Sequence, residues 1–282
     1  MARPLTLKDL LKLQFYGLDQ LDTETLKALE PVLLRSEAQL RRELDRFAIG
    51  SFTRTQKQQT LFLINRSLVR LHNEELREMQ SLAEQFNLFG AEMANKEVKD
   101  MSRQVGISIP AVKKDKLSLE QNSFLINTMR ESVLGHNVDT RMQVSKALTD
   151  SVIQKKTGYE TVSRIGKAVA IKRWKVKRIV RTEMLRIFNQ TKLLTYGEFN
   201  EQNFKGRLRK RMFHPMDSRT AEDSKQWASA DPAIPLDKPF RLVITRRLAS
   251  GSVRRTVQEG MTPPLRPNDR ATLMSFLPEW KE

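Results

Sequence analysis

Apolar residues recur along this chain in two different periods, and the change between them divides it. From Leu5 to about Leu194 the spacing is helical. Leu5, Leu7, Leu10, Leu11 and Leu13 give a short amphipathic helix over 5–18. Asp22 or Thr23 then caps a second helix with the stripe Leu26, Leu29, Leu33, Leu40, Leu44 and Phe47. Pro31 marks a kink or a delayed start in it, and Gly50-Ser51 a stop. A long helix follows from about Thr53 to about Met101. Its apolar positions are Leu61, Ile64, Leu68 and Leu71, then Met79, Leu82, Phe86, Phe89 and Met93. The step from Leu68 to Met79 is a stutter of coiled-coil type. At ~1.5 Å per residue, roughly 45 residues make a rod on the order of 65 Å long, with Gly90 its weakest point. An antiparallel pair of helices packed on the core fits the same pattern.

Residues 105–117, with Gly106 and Pro110, break the helical period and set a domain boundary. Beyond it, Ser118 and Gln121 form a capping box for a helix ending at Gly135, and Asp139 or Thr140 starts another that ends at Lys156. A helix over 159–170 leads into Lys172–Arg178. From there Val176, Val180, Met184, Ile187/Phe188, Thr191 and Leu194 form one stripe, with Gly197 and Asn200 as stop signals. Then the period shortens to two. Arg207–Phe213 reads as a strand, Phe240–Arg247 and Ser252–Val257 as a hairpin about Ala249-Ser250-Gly251, and Ala271–Leu277 as a last strand. The predicted class is α+β. Long N-terminal helices over 1–104, as hairpin or rod, precede a helical domain with a small antiparallel sheet over 105–282.

Charge follows the same division. Residues 1–100 hold 15 basic and 15 acidic side chains, so the entire net charge of +17 belongs to 101–282. A neutral half suits docking or oligomerisation, and a basic half suits nucleic acid or another acidic surface. The apolar fraction of 39% and charged fraction of 29% favour much exposed helix. With no cysteine, disulfides and thiolate metal sites are excluded. The N-terminus does not read as a signal peptide, and no apolar run approaches a bilayer span, so a soluble protein made in a cytoplasm is expected.

Candidate chemistry gathers between 172 and 223. Two clusters, Lys172, Arg173, Lys175, Lys177, Arg178 and Lys205, Arg207, Arg209, Lys210, Arg211, are the candidate nucleic-acid contacts, because phosphate neutralisation needs clustered cations in no particular order. Strand alternation puts Arg207, Arg209 and Arg211 on one face and Leu208 and Lys210 on the other. Trp174 reads as a core or shoulder residue more than a stacking platform. No sequence-reading module is present. Glu183 reaches Arg186 as an ordinary helix pair, and a buried Arg181 tying its helix to Asp217 is the sharper structural reading. His214, Asp217, Glu222 and Asp223 can hold a divalent metal for phosphodiester cleavage, but the same residues also suit a turn or helix cap. No metal or cofactor is expected.

Three blocks in order carry a resemblance. They are Arg181-Thr182-Glu183 on a helix, Asp217-Ser218-Arg219-Thr220 after a basic strand, and Pro263-Pro264-Leu265-Arg266-Pro267-Asn268-Asp269-Arg270 near the end. Together they resemble the Mu F-like minor head proteins of tailed bacteriophages, the phage head morphogenesis family. Arg181, Thr182, Glu183, Asp217, Arg219, Thr220, Pro263, Pro264, Pro267, Asn268 and Arg270 match its pattern. Relatives commonly read His-Pro-Asn-Cys-Arg-Cys in the last block. Here Arg266, Asp269 and Ala271 replace the His and the two Cys, which leaves a structural closing turn without zinc ligands.

The resemblance implies a non-enzymatic virion protein, present in a few copies inside the capsid at the portal vertex. It would act in head assembly and in DNA packaging or ejection. Its partners would be the portal protein, the major capsid or scaffolding protein, and double-stranded phage DNA without sequence preference, with no membrane involved. The alternative is a metal-dependent nuclease or another nucleic-acid-modifying enzyme.

Overall fold

The structure, a computed structural model, describes residues 5–45, 54–110, 158–215, 233–247, 250–265 and 270–280, with a few positions between 127 and 150. Most of the helices anticipated over 118–135 and 139–156 lies outside the described residues, the few described positions there being helical, as do the stop at Gly50-Ser51, the block 217–220 and residues 266–269. Among those described, three long helices come first, α1 (Leu7–Asp45), α2 (Arg54–Gln104) and α3 (Gly158–Phe199). A π-helical turn, Asn200–Phe204, extends α3. Strands β1 (Arg209–Phe213), β2 (Ile234–Pro235), β3 (Phe240–Arg247), β4 (Val253–Gly260) and β5 (Thr272–Phe276) follow. The architecture is mixed α+β, helices first.

One helix boundary differs from the sequence reading. The expected helices over 5–18 and from Asp22 are one element, because neither Gly17 nor Pro31 breaks α1. The bare Cα of Gly17 admits the Phe89 ring, which a Cβ would overlap. Pro31 is exposed, so the carbonyl it strands can turn to water, while its neighbours Leu29, Val32 and Leu33 are buried. Their burial offsets a proline cost of about 3 kcal/mol. At the far end α3 stops at Phe199, between the expected stop signals Gly197 and Asn200. The π turn follows it and ends at Lys205 and Gly206, both left-handed (φ 48° and 82°). The Asn200 side chain accepts from Leu208 N at 2.8 Å and carries the chain into β1. By contrast, α1 begins on a capping box, in which Thr6 and Asp9 exchange side chain-to-backbone bonds of 3.2 Å.

The chain forms two compact units, and each helix contributes to both. One comprises Asp22–Leu82 with Leu125–Val180. Its interior is lined by Leu29, Val32, Leu33, Met79, Leu82 and Val180. The other comprises Met1–Leu21, Ala83–Phe124 and Arg181–Glu282, and it contains every strand. There β1 is central in a three-stranded antiparallel sheet ordered β2-β1-β5, and β3 and β4 form a separate two-stranded ribbon. Its core gathers Leu10, Ala94, Val98, Tyr196, Phe199, Phe204, Leu208, Met212, Phe240, Leu273 and Trp280. Within this unit Gly90 lets α2 approach α3, since a Cβ there would lie 2.7 Å from the Phe188 carbonyl oxygen. Phe89 stacks on Phe188 with ring centroids 5.3 Å apart. The expected weak point is a close packing contact inside an unbroken helix.

Candidate nucleic-acid interface and a buried ionic cluster

Strand alternation sorts the second basic cluster as the sequence implies. Leu208, Lys210 and Met212 are buried, Arg207 and Arg209 are exposed, and Arg211 is half-buried. Lys205, on the left-handed turn before the strand, is exposed as well. Arg207 pairs with Glu279 at 2.8 Å, both side chains being more than half exposed, so the pair is weakly held. Arg209 donates to the Ala233 carbonyl at 3.3 Å. These residues border a shallow cleft of about 300 Å³ with Gly206, Pro235 and Pro278. The Arg211 guanidinium lies over the Phe213 and Phe276 rings, 5.7 and 4.9 Å from their centroids.

Lys210 departs from its assigned role. Its ammonium is turned into the interior, where it donates to the carbonyls of Leu236 and Met261 at 2.8 Å each and sits 5.2 Å from the Phe240 ring centre. Burial pushes it down to about 8, with Asp237 opposing the shift. A cation so placed ties β1 to the loops after β2 and β4 and has no reach to an external phosphate. The β1 contribution to a nucleic-acid surface is therefore Lys205, Arg207 and Arg209, with Arg211 at its margin.

The first cluster lies in the other compact unit. Lys175, Lys177 and Arg178 are half-buried, and Lys177 pairs with Glu30 of α1 at 2.9 Å. For Lys172, Arg173 and Trp174 the helical backbone is described and the side chains are not. Among the motif residues, Arg181 is exposed, which corrects the expectation of its burial, while its expected partner Asp217 lies outside the described residues. Thr182 and Glu183 are buried, and Glu183 accepts from Arg186 as the helix spacing predicts. Burial raises the Glu183 carboxyl, with Arg186 opposing. Pro263 and Pro264 are buried and joined by a cis peptide, and Arg270 is half-buried. Asp217, Arg219, Thr220, Pro267 and Asn268 lie outside the described residues, as do Glu222 and Asp223; His214 is buried. Among the described residues no group of three or more His, Asp and Glu is placed to hold a metal ion. No described helix is long and apolar enough to cross a membrane.

Sequence reasoning missed the most charged part of the interior. Lys192 of α3 and Glu97 of α2 form an ion pair with neither side chain exposed to solvent. The Lys192 ammonium has three donors and three oxygen acceptors: Glu97 Oε1, Gln14 Oε1 of α1 at 2.7 Å, and the Leu273 carbonyl of β5. Tyr196 donates its hydroxyl to the other Glu97 oxygen. The rings of Phe188 and Tyr196 lie 5.4 and 5.8 Å from Nζ. Gln14 donates onward to Thr272, and Thr272 to Asn189 at 3.2 Å. Asn189 also accepts from Leu273 N at 2.7 Å and donates to the Ala271 carbonyl at 3.2 Å. Desolvation lowers Lys192 to about 8, with Glu97 opposing. It raises Glu97, with Lys192 opposing. Burial and the adjoining Glu97 carboxylate together raise the Tyr196 phenol.

This network joins α1, α2, α3 and β5 out of reach of solvent. It fixes the positions of elements and leaves binding to the surface. One signal for it was legible: Phe188, Lys192 and Tyr196 fall at i, i+4 and i+8, which puts a lysine inside an apolar stripe.

Comparison with protein-family models, with curated proteins and with solved structures returns no match for this chain.

Proposed function

We propose that the chain is a minor head protein of a tailed bacteriophage, with the role implied by its resemblance to the Mu F-like head morphogenesis proteins. In this reading it is a binding protein without catalytic activity. It resides in a few copies inside the capsid at the portal vertex and serves head assembly and DNA packaging or ejection. The helical residues 1–104 dock on the portal protein, and the basic residues 105–282 meet duplex DNA without sequence preference.

One observation carries this reading: the whole net charge of +17 lies beyond residue 100, and there Lys205, Arg207 and Arg209 stand exposed at the start of the sheet. Clustered surface cations suit a phosphate backbone, and the neutral helical segment suits a protein surface. Each compact unit draws on both segments, so a cut at residue 104 would divide both units, and the test uses the full chain. Co-sedimentation with portal rings from the same phage genome is expected to retain the protein. Loss of retention at salt concentrations that leave the rings intact would remove the docking half of the proposal.

A further inference from the structure

The β3–β4 ribbon has no strand neighbour in the three-stranded sheet, and its two halves differ in character. Near its base Phe240, Leu242 and Ile244 are buried, and Arg241 pairs with Glu259 at 3.1 Å. Toward the turn the described residues Ser250–Val257 are all exposed. The last three rungs pair Thr245 with Arg255, Arg246 with Arg254, and Arg247 with Val253. Four arginines thus stand within three rungs. No carboxylate occurs between Asp237 and Glu259, and Glu259 is engaged at the base. The exposed members, Arg254 and Arg255, are adjacent on β4 with no carboxylate near them in sequence, so their charge faces solvent. An external polyanion would neutralise it. Exposed Val243 and Val257, paired across the strands, add apolar surface to the same ribbon.

We propose that the distal half of this ribbon is a nucleic-acid arm that enters a groove of duplex DNA, its exposed Arg254 and Arg255 neutralising phosphates on the groove walls. The inference rests on the DNA-contact reading above and adds the element that makes the contact, on arginines outside both of the basic clusters picked out from sequence. The major groove of B-DNA admits a two-stranded ribbon, whose strands lie about 4.8 Å apart in a groove about 12 Å wide. From Ile244 to the last rung at Arg247 the ribbon extends about 10 Å at ~3.3 Å per residue, enough to cross a groove depth of about 8.5 Å. The connecting residues Leu248-Ala249-Ser250-Gly251-Ser252 are small or apolar, and Asn and Gln, which pair with adenine, are missing from 240–257. The arm is accordingly a backbone binder.

The test is equilibrium binding of the full chain to a mixed-sequence duplex DNA across a salt series. It compares the wild type with Arg254→Ala/Arg255→Ala and with Arg254→Lys/Arg255→Lys. Both positions are exposed, and matching far-UV spectra and unfolding midpoints would establish that the variants fold. Removing two phosphate contacts is expected to lower affinity roughly 50-fold at 0.1 M salt and to flatten the log–log salt slope by about 2, while the lysine variant stays within a few-fold of wild type. A wild type that binds steeply with salt, beside an alanine variant with the same affinity and slope, would overturn the arm and leave the DNA-contact reading standing. A wild type that fails to bind duplex DNA even at low salt would overturn both.

Discussion

At the scale of single residues, the decisive feature is a lysine in the wrong place for a surface cation. Lys192 is buried with its full complement of acceptors, so its charge is supported by Glu97, Gln14 and the Leu273 carbonyl together. Removing one partner should be far worse than removing both. Lys192→Met leaves Glu97 enclosed without a counter-charge and is expected to cost about 3–5 kcal/mol in denaturant unfolding. The double variant Lys192→Met/Glu97→Leu should recover most of that loss, because the apolar replacements leave no buried charge behind. Equal destabilisation by the single and double variants would mean that the pair itself, and not the orphaned carboxylate, carries the stability. Lys210 makes the same point more simply. Its alternation with Arg209 and Arg211 already placed it on the Leu208 face, and a cationic cluster read without regard to that face counts one charge too many.

Among the elements, the periodicities were the most legible part of the chain. The switch from helical spacing to strand alternation fell between Leu194 and Arg207; the helix ends within that interval, and β1 starts two residues beyond it at Arg209. The hairpin and the last strand were found to within a few residues. What could not be read was continuity. Pro31 looks like punctuation, yet it lies within a helix, because the burial of its neighbours Leu29, Val32 and Leu33 outweighs local propensity. Gly90 belongs to the same class, and its reason is spatial. Gly90→Ala would drive a Cβ toward the Phe188 carbonyl oxygen, a backbone atom with little freedom to move. The expected cost is about 1–3 kcal/mol, read from the shift in denaturant midpoint at unchanged slope. A neutral or stabilising outcome, as expected for an exposed helical glycine, would show that α2 and α3 are not held at that contact.

For the whole molecule, charge placement was legible and charge engagement was not. The sequence separates a neutral segment from a basic one, but it does not reveal that Lys177 is paired with Glu30 or that the Leu236 and Met261 carbonyls hold the Lys210 ammonium. Nor does composition single out the ribbon, since its arginines gather only when the register sets Arg246 across from Arg254. The buried network was hidden for a related reason: Gln14, Glu97, Lys192 and Leu273 are distant in sequence, and only the packing of three helices on β5 brings them together. Among the described residues, the exposed cations Lys205, Arg207 and Arg209 with Arg254 and Arg255 are enough for electrostatic contact with a duplex.

The central claim, proposed above, is that these exposed cations grip DNA through its phosphates. The most direct measurement is the affinity of the full chain for two duplexes of unrelated sequence, taken from low to moderate salt. Five such contacts predict a log–log slope of about −4.5, the same for both duplexes. A slope near zero, or a strong preference for one duplex, would contradict the account.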